Sequence, residues 1–379
     1  MNLLSDEEIE IRDMTRSFVR KEITPFAGEW DRTETVPLET VYRLGELGLF
    51  GVCVPSDWGG SGASFISYIL VNEELAYGDA GVCNMVTATN SFCIKLRDFG
   101  TPEQLERFGR PVASGKEIAC MLLTEPHTGS DAANIKTRAV RRGDCYVLDG
   151  TKSLITSGQS SKAAIVLAVT DPDAGKHGIS AFMIRTSNPG YHVIRKERKL
   201  GHRANDTCQI LLEGMEVPAG DMLGKPGEGL KVAFSGLESG RIAVAAQSLG
   251  VARAAFDAAL SYAKEREAFG KKIFGHQAIA FMLAEMATNI EVARQMCMHA
   301  ARLKQAKQRC LKEASMAKLF ASRMCERVCS DAIQIHGGYG YVCDFPVEKY
   351  YRDQRVFQIY DGTNEIQKLV ISREIANEQ

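Results

Sequence analysis

The sequence lacks the features that would anchor, cross-link or strongly charge a protein. No run of 18 apolar residues occurs, so no membrane span is predicted. Lys and Arg number 46 and Asp and Glu number 47, a net charge of −1, which favours neither nucleic acid nor an anionic membrane as a partner. The 11 cysteines form no CxxC pair, and no metal site is predicted.

No secretory leader is predicted either, because the first residues, MNLLSDEEIEIR, are too acidic and too short in apolar residues for a signal or transit peptide. The odd number of cysteines then favours reduced thiols. We therefore expect a cytoplasmic protein of a bacterium, or a mitochondrial matrix protein if the chain is a processed eukaryotic one.

The dinucleotide-type motif GxGxxG and βαβ alternation are absent as well, which argues against a Rossmann fold. Three kinds of pattern follow one another instead. Residues 1–117 show helical periodicity, residues 118–225 hold short β-branched runs separated by turn residues, and residues 226–379 show long helical patterns. The sequence thus predicts an α+β protein with an N-terminal helical domain, a middle antiparallel β-domain and a C-terminal helical bundle. The clearest strands are predicted at 163–169, 179–184, 191–194 and 209–217, and the longest helices at 237–264, 276–305 and 311–336.

The stretch YYRDQRVFQIYDGTNEIQKLVISREI, at 350–375, holds the most suggestive residues. Two helical patterns meet at Asp361 and Gly362, and an Asp-Gly pair between apolar runs predicts a turn. Asn364 and Gln367 fit a capping box that begins the second helix. The pattern predicts a carboxylate at a helix junction, beside free N–H groups that are suited to a phosphate or a developing oxyanion.

Four further segments are polar or glycine-rich and lie at the ends of predicted helices or strands. They are LLTEPHTGSDAANIKT at 122–137, KSLITSG at 152–158, REAFGKKIFGHQ at 266–277 and QIHGGYGY at 334–341. Such loops can bind phosphates or flavin edges through their N–H groups, but each can equally be an ordinary turn or helix cap.

Taken together and in this order, these blocks resemble the acyl-CoA dehydrogenase family over essentially the whole chain. The resemblance implies the three-domain fold, in which the C-terminal domain is a four-helix bundle, and FAD bound without a Rossmann fold. It also implies a homotetramer. The family removes an α-proton and a β-hydride from an acyl-CoA thioester, forms the 2-enoyl-CoA and passes electrons to electron-transfer flavoprotein.

The resemblance also assigns roles to individual positions. Asp361 matches the catalytic base. The cofactor-binding positions are Leu123, Thr124, Ser130, Leu154, Thr156, Arg266, Phe269, Gln277, Gln334, Gly338, Thr363 and Glu365, of which Arg266, Phe269 and Gln277 match residues that reach FAD from the neighbouring subunit. The substrate-binding positions are Ser130, Glu238, Arg241, Tyr360 and Gly362. Ser130 and Arg241 match positions near the CoA moiety.

The sequence departs from the family pattern at three positions, Asp361, Leu154 and Met121. The usual base is Glu, and Asp361 reaches about 1.5 Å less. The alternative base position, just before Arg241, is Gly240 and cannot serve. Leu154 stands where many members have Trp, and Met121 where an aromatic residue is common, so the packing of the flavin and the exit of electrons are expected to differ.

The shorter base suggests a substrate whose α-carbon is tertiary, such as an alicyclic or α-branched acyl-CoA. Two other functions stay open at this stage. Asp at this position also resembles nitroalkane oxidase, which would return electrons to oxygen. The third hypothesis is a non-catalytic acyl-CoA or partner-binding scaffold, against which the retained carboxylate argues.

Overall fold

Helices occupy both ends of the chain and strands occupy its middle in the computed structural model, which describes residues 4–378. The N-terminal helices are Asp6–Glu22 (α1), Ala27–Thr33 (α2), Leu38–Glu46 (α3), Phe65–Gly78 (α4), Ala80–Phe99 (α5), Pro102–Gln104 (α6) and Arg110–Ala113 (α7). The strands of the middle region are Ala119–Leu122 (β1), Arg138–Arg142 (β2), Cys145–Thr156 (β3), Ala163–Val169 (β4), Ile179–Arg185 (β5), Tyr191–Lys196 (β6), Thr207–Pro218 (β7) and Met222–Leu223 (β8).

The C-terminal part begins with the short helix Gly229–Phe234 (α8) and is dominated by three long helices. These are Leu237–Glu265 (α9), Gln277–Gln305 (α10) and Leu311–His336 (α11); a small hairpin of Glu267–Ala268 (β9) and Lys271–Lys272 (β10) lies between α9 and α10. Val347–Gln354 (α12) and Asn364–Ala376 (α13) complete the chain. Both α10 and α13 pack against α11, which gives the bundle that the helical periodicity predicted.

The eight strands of the middle region form one sheet in the order β6-β7-β3-β2-β4-β5-β8, with β1 paired to β4. Most neighbouring strands are antiparallel, as predicted. The pairs β1–β4 and β2–β4 are parallel, so the sheet is mixed rather than wholly antiparallel. Parallel neighbours cannot be joined by a tight hairpin, and here the connections between them run through the loop after β1 and through β3.

The N-terminal helices and the bundle share one core, because α4 is buried on almost every side. A Cβ atom added at Gly250 of α9 would come within 2.3 Å of the Glu73 carbonyl oxygen, so glycine is what allows α4 and α9 to approach so closely. Buried charge reinforces this contact: Glu73 pairs with Arg253 at 2.7 Å and with Arg294 at 2.8 Å. These contacts hold α4 against α9, the helix that begins beside the site described next.

Candidate active site

Asp361 lies at the turn between α12 and α13, as the sequence predicted. The chain leaves α12 through a 3₁₀ turn at Arg355–Gln358, and Asp361 and Gly362 then take the left-handed conformation, with φ of 50° and 85°. Asp is among the few residues that tolerate this conformation. The turn leaves the backbone N–H groups of Asp361 and Gly362 without an acceptor within residues 4–378.

The predicted cap of α13 is wrong by one residue. Thr363, not Asn364, is the N-cap, and its hydroxyl oxygen accepts from the Ile366 N–H at 3.3 Å. The Gln367 amide donates to the carbonyl oxygens of Asp361 and Gly362, at 3.2 and 2.8 Å, instead of closing a capping box. Asn364 is buried and accepts from Lys318. The side chains that the sequence assigned to capping therefore hold the turn that carries Asp361.

Three buried cationic side chains surround the Asp361 carboxylate, and two of them, Lys95 and Lys318, were not among the predicted site residues. Lys318 donates to the Gly362 carbonyl oxygen at 2.8 Å, and Arg241 donates to the Ser315 hydroxyl at 3.0 Å. Lys95 reaches the site from α5. Within the described part of the chain, no cationic nitrogen lies within 4.0 Å of the Asp361 carboxylate oxygens, so this group is free to take a proton from a ligand.

Desolvation in this cleft raises the pKa of its carboxyl group and lowers the pKa of its lysines. The Asp361 side chain is open to water on one side in the single chain, but the protein around it removes part of its hydration and raises its pKa above the ordinary 3.8. The Lys95, Lys318 and Arg241 cations act in the other direction and lower this pKa. Burial lowers the pKa of Lys95 and of Lys318 to about 8 each, although Asp361 opposes this shift. A raised carboxyl pKa makes Asp361 a stronger base than a solvated Asp.

Gly240 directly faces this carboxylate. A Cβ atom built on Gly240 would lie 3.7 Å from the Asp361 Cγ, in ordinary van der Waals contact. The alternative base position is therefore next to Asp361 in space, but it carries no side chain. Glu238, two residues earlier, is engaged elsewhere in an ion pair with Lys304 at 2.6 Å. Asp361 is thus the carboxylate available in this cleft.

Tyr360 precedes the base and anchors its turn to the helical core. Its hydroxyl donates to the Gln247 side chain, and Gln247 in turn donates to the Thr87 hydroxyl at 2.9 Å. This places Tyr360 beside Asp361 with its polar end directed into a buried network, rather than toward solvent.

The blocks TEPHTGSD and KSLITSG are brought together at one edge of the sheet. The Ser153 N–H donates to the Thr124 carbonyl oxygen at 2.9 Å. The buried Lys152 ammonium binds the Leu123 carbonyl oxygen at 3.1 Å and the Glu125 carboxylate at 2.8 Å. Because Lys152 and Glu125 neutralise each other inside the protein, they order the loop after β1, a role that no sequence pattern indicates.

Leu154 and Thr156 lie in an irregular part of β3. The pairing with β7 shifts register between Lys152 and Ile155, and Leu154 takes a φ of 58° with its side chain 63% exposed. A left-handed Leu at a bulge is strained, and bulges of this kind redirect side chains. The Thr156 hydroxyl accepts from the Asn84 amide at 3.3 Å, so it faces α5. Ser130 is exposed on the loop after β1, and Met121 is half-buried on β1.

The remaining predicted cofactor residues form a second group. Arg266 and Gly338 line one cavity of about 570 Å³, and the Arg266 guanidinium lies 5.7 Å from the Tyr339 ring centroid. Phe269, at the tip of the β9–β10 hairpin, has a φ of 51° and is 96% exposed. Gln277 and Gln334 are exposed as well. In the described residues, no hydrogen bond or ion pair joins this group to the Asp361 cleft.

Thr363 and Glu365 lie immediately after the base. Thr363 is occupied in capping α13, and Glu365 is exposed beside Lys368 at 3.7 Å. Within residues 4–378 there is no group of three or more side chains suited to hold a metal ion. Nor is any described helix both long and apolar enough for a membrane span.

Comparison with known proteins gives a consistent result over the whole chain. Profiles of the acyl-CoA dehydrogenase N-terminal, middle and C-terminal domains match residues 5–116, 120–215 and 227–376. An acyl-CoA dehydrogenase of Bacillus subtilis (strain 168) is 43% identical over 371 residues, which are 98% of each chain. Butyryl-CoA dehydrogenase from Megasphaera elsdenii superposes with a TM-score of 0.97 at 38% identity, covering 99% of this chain and 100% of that one.

A chain in the structure of the electron transferring flavoprotein of Acidaminococcus fermentans superposes with a TM-score of 0.98 at 41% identity and covers 100% of both chains. The fold and these relatives define a flavoprotein oxidoreductase that acts on a CH–CH group. The chain belongs to the acyl-CoA dehydrogenase family, which is FAD-dependent in general.

Proposed function

We propose that the protein dehydrogenates an acyl-CoA thioester, with Asp361 as the base that removes the α-proton and a 2,3-unsaturated acyl-CoA as the product. The observation that carries this proposal is the placement of Asp361, whose carboxylate lines a cleft without a cation within 4.0 Å in the described chain and whose pKa is raised because the surrounding protein desolvates it. A C–H bond beside a thioester is a weak acid, so a base of this kind must lie against it.

The turn that carries the base also supplies hydrogen-bond donors. The N–H groups of Asp361 and Gly362 have no acceptor among residues 4–378. Removal of the α-proton places negative charge on the thioester oxygen, and donors that are already oriented toward that charge stabilise it without reorganising. We propose that the Asp361 N–H binds the thioester oxygen while the Asp361 carboxylate takes the proton.

The residues present fit FAD, which would accept the β-hydride at N5. Large apolar and aromatic residues are exposed both in β3 and near Arg266. Leu154 is 63% exposed, Phe269 96% and Tyr339 50%. Exposed surfaces of this kind suit stacking of rings, and Arg266 suits a pyrophosphate. We propose that Leu123, Thr124, Leu154 and Thr156 hold the ring system.

Arg266, Phe269, Gln277, Gln334 and Gly338 would then bind the pyrophosphate and adenosine of an FAD held mainly by a neighbouring subunit of a homotetramer. Among the described residues, no hydrogen bond or ion pair joins this group to the Asp361 cleft, which supports this arrangement. Ser130, Thr363 and Glu365 complete the proposed cofactor contacts. The similarity to a chain in the electron transferring flavoprotein structure supports electron-transfer flavoprotein as the electron acceptor.

The substrate is proposed to be α-branched or alicyclic, because Asp reaches less far than Glu and suits an α-carbon that sits closer to the turn. We expect cyclohexanecarboxyl-CoA to bleach the flavin of the yellow protein faster than butyryl-CoA does, measured anaerobically by stopped flow. Misplacement of a base by about 1 Å costs on the order of 100-fold in rate, so the preference is expected to be large.

Asp361→Glu is the matched variant for this experiment, since it moves the same carboxylate outward by one methylene. We expect it to shift the preference toward butyryl-CoA. A clear preference of the unmodified protein for the straight chain would refute the α-branched substrate, although not the dehydrogenase. Rapid reoxidation of the flavin by air, without an effect of any acyl-CoA, would indicate an oxidase instead.

The pH dependence of bleaching tests the protonation state of the base. Proton removal needs ionised Asp361, and desolvation by the surrounding protein raises its pKa above 3.8, so the rate is expected to fall as pH decreases through a value above 3.8. The measurement is the bleaching rate at saturating acyl-CoA between pH 4 and pH 9, with the FAD absorbance as a control for cofactor loss. A rate that is already on its plateau at pH 4 would contradict the assignment.

A further inference from the structure

Lys95 is a buried cation that the proposed proton transfer does not use. It lies on α5 and is 3% exposed, and its ammonium donates to the Ser91 hydroxyl at 2.8 Å. This is its one hydrogen bond within the described chain, although an ammonium has three donors. Lys318, the other lysine near the base, has two acceptors, the Gly362 carbonyl oxygen and the Asn364 side chain. Burying a charge that is incompletely hydrogen-bonded is costly, so such a group is a candidate for ligand binding.

Two glycines place Lys95 in the same cleft as the base. A Cβ atom on Gly236 would come within 3.2 Å of the Lys95 ammonium nitrogen, and one on Gly240 would lie 3.7 Å from the Asp361 carboxyl carbon. The Gly240 N–H donates to the Gly236 carbonyl oxygen at 2.8 Å, so the two glycines stand on adjacent turns at the start of α9. Positions four residues apart on a helix lie about 5–6 Å from each other. The ammonium and the carboxylate therefore face neighbouring turns of the same helix, at two positions that carry no side chain.

The charge of this cleft is unbalanced. Lys95, Lys318 and Arg241 are all buried and all act on Asp361, which is the one carboxylate they share. The other acidic groups that act on these three cations are engaged elsewhere: Asp98 pairs with Arg97 at 2.8 Å, Glu238 with Lys304 at 2.6 Å and Glu365 with Lys368 at 3.7 Å. The Arg241 Nε, which is also buried, has no hydrogen-bond partner in the described residues. When Asp361 accepts the α-proton its charge passes to the substrate, so a neutral acyl group leaves the excess of positive charge unchanged.

We propose that Lys95 is a specificity-determining residue that binds a carboxylate on the acyl group, so that the substrate is the CoA thioester of a short dicarboxylic acid. The inference rests on the proposed function, because it takes Asp361 to mark the position of the α-carbon. A carboxylate at Lys95 satisfies the free donors of the ammonium and offsets the surplus charge. An apolar chain end at the same place would leave the ammonium donors without acceptors and the surplus positive charge without a counter-charge. The proposal is compatible with a branch or ring at the α-carbon.

A matched pair of unreactive ligands tests this. In 3-thiaglutaryl-CoA and 3-thiapentanoyl-CoA, sulfur replaces the β-carbon, so no β-hydride is available, and the two differ only in a terminal carboxylate against a terminal methyl group. Isothermal titration of the FAD-loaded protein is expected to show at least about tenfold tighter binding of 3-thiaglutaryl-CoA. Equal affinities, or tighter binding of the methyl-terminated ligand, would overturn the proposal without the use of any variant.

Lys95→Met removes the charge with little change in volume. We expect it to abolish the preference for 3-thiaglutaryl-CoA and to leave or improve the binding of 3-thiapentanoyl-CoA, whereas Lys95→Arg retains the preference. Lys21→Met, which removes an exposed lysine of α1, is the control and should change neither constant. A preference that survives Lys95→Met would overturn the role of Lys95. These constants need no turnover, so they are separate from the proposed function, which fails if no acyl-CoA of any kind bleaches the flavin.

Discussion

Asp361→Asn is expected to leave a yellow, FAD-binding protein whose flavin no acyl-CoA bleaches. The amide has nearly the same shape as the carboxylate but cannot accept the α-proton, and loss of a general base costs on the order of 10²- to 10⁴-fold in rate. The neighbouring groups do not replace it, since Gly240 has no side chain and Glu238 is paired with Lys304. The measurement is the anaerobic bleaching rate with a panel of straight, branched, cyclic and dicarboxylic acyl-CoAs.

Stability provides the control for this variant. Folding raises the pKa of Asp361, so the folded protein binds this proton more tightly than the unfolded chain, and ionisation at neutral pH disfavours the folded state. Asp361→Asn removes that penalty, and we therefore expect its thermal midpoint at pH 7 to be no lower than that of the unmodified protein. Asp57→Asn, a change at an exposed residue outside both proposed binding regions, should bleach normally. Substantial bleaching by Asp361→Asn would show that another group is the base.

Much of the fold follows from local pattern. The continuous apolar run AAIVLAV predicts β4 with its observed bounds, Ala163–Val169. A strand that is buried on both faces needs apolar residues at every position. Two of the strands that the pattern missed are polar or interrupted. In β2, RAVRR is mostly exposed, and β3 contains Asp149 and Gly150 at a register shift. Pairing with distant strands stabilises these segments, and this is not visible within a short window of sequence.

The site was predictable where it depends on chain geometry and not where it depends on packing. The Asp361-Gly362 pair predicts its own turn, because few residue pairs take positive φ so readily. Lys95 and Lys318 lie in the segments SFCIKLRDF and ASMAKLFAS, which have the pattern of a helix, and a lysine in such a helix usually points to solvent. Their burial arises because α5 and α11 are covered by α9 and by the Asp361 turn. A lysine on the apolar face of a predicted helix was the available signal.

A buried lysine also connects the proposed active-site turn to the rest of the protein. Lys349 of α12 is 5% exposed and binds the carboxylates of Asp79 at 2.8 Å and Asp353 at 2.6 Å. Asp79 caps α5 through the Val82 N–H at 2.9 Å, and Asp353 accepts from the His202 N–H at 2.6 Å. The ammonium thus joins the N-terminal helices, the middle region and the helix that leads to Asp361.

Lys349→Met is expected to destabilise the protein by about 3–5 kcal/mol, because it leaves two buried carboxylates without their counter-charge. The apparent thermal midpoint should fall by roughly 5 °C or more. The Lys349 ammonium holds the pKa of Asp353 below its ordinary value, so the contribution is present above that ordinary value and is lost as pH falls through the lowered one. The difference between Lys349→Met and the unmodified protein should therefore shrink in acid.

Lys231→Met is the matched control, since Lys231 pairs with Glu228 at 2.9 Å but is 66% exposed at its side chain. Exposed pairs contribute about 0–1 kcal/mol, so its thermal midpoint should hardly change. Lys349→Met should also slow bleaching more than Lys231→Met does, because α12 positions the turn that carries Asp361. If the two variants lowered the midpoint equally, the buried cluster would not be what holds α12 in place, and the position of the base would have to depend on the hydrogen bonds of Gln367 and Lys318 alone.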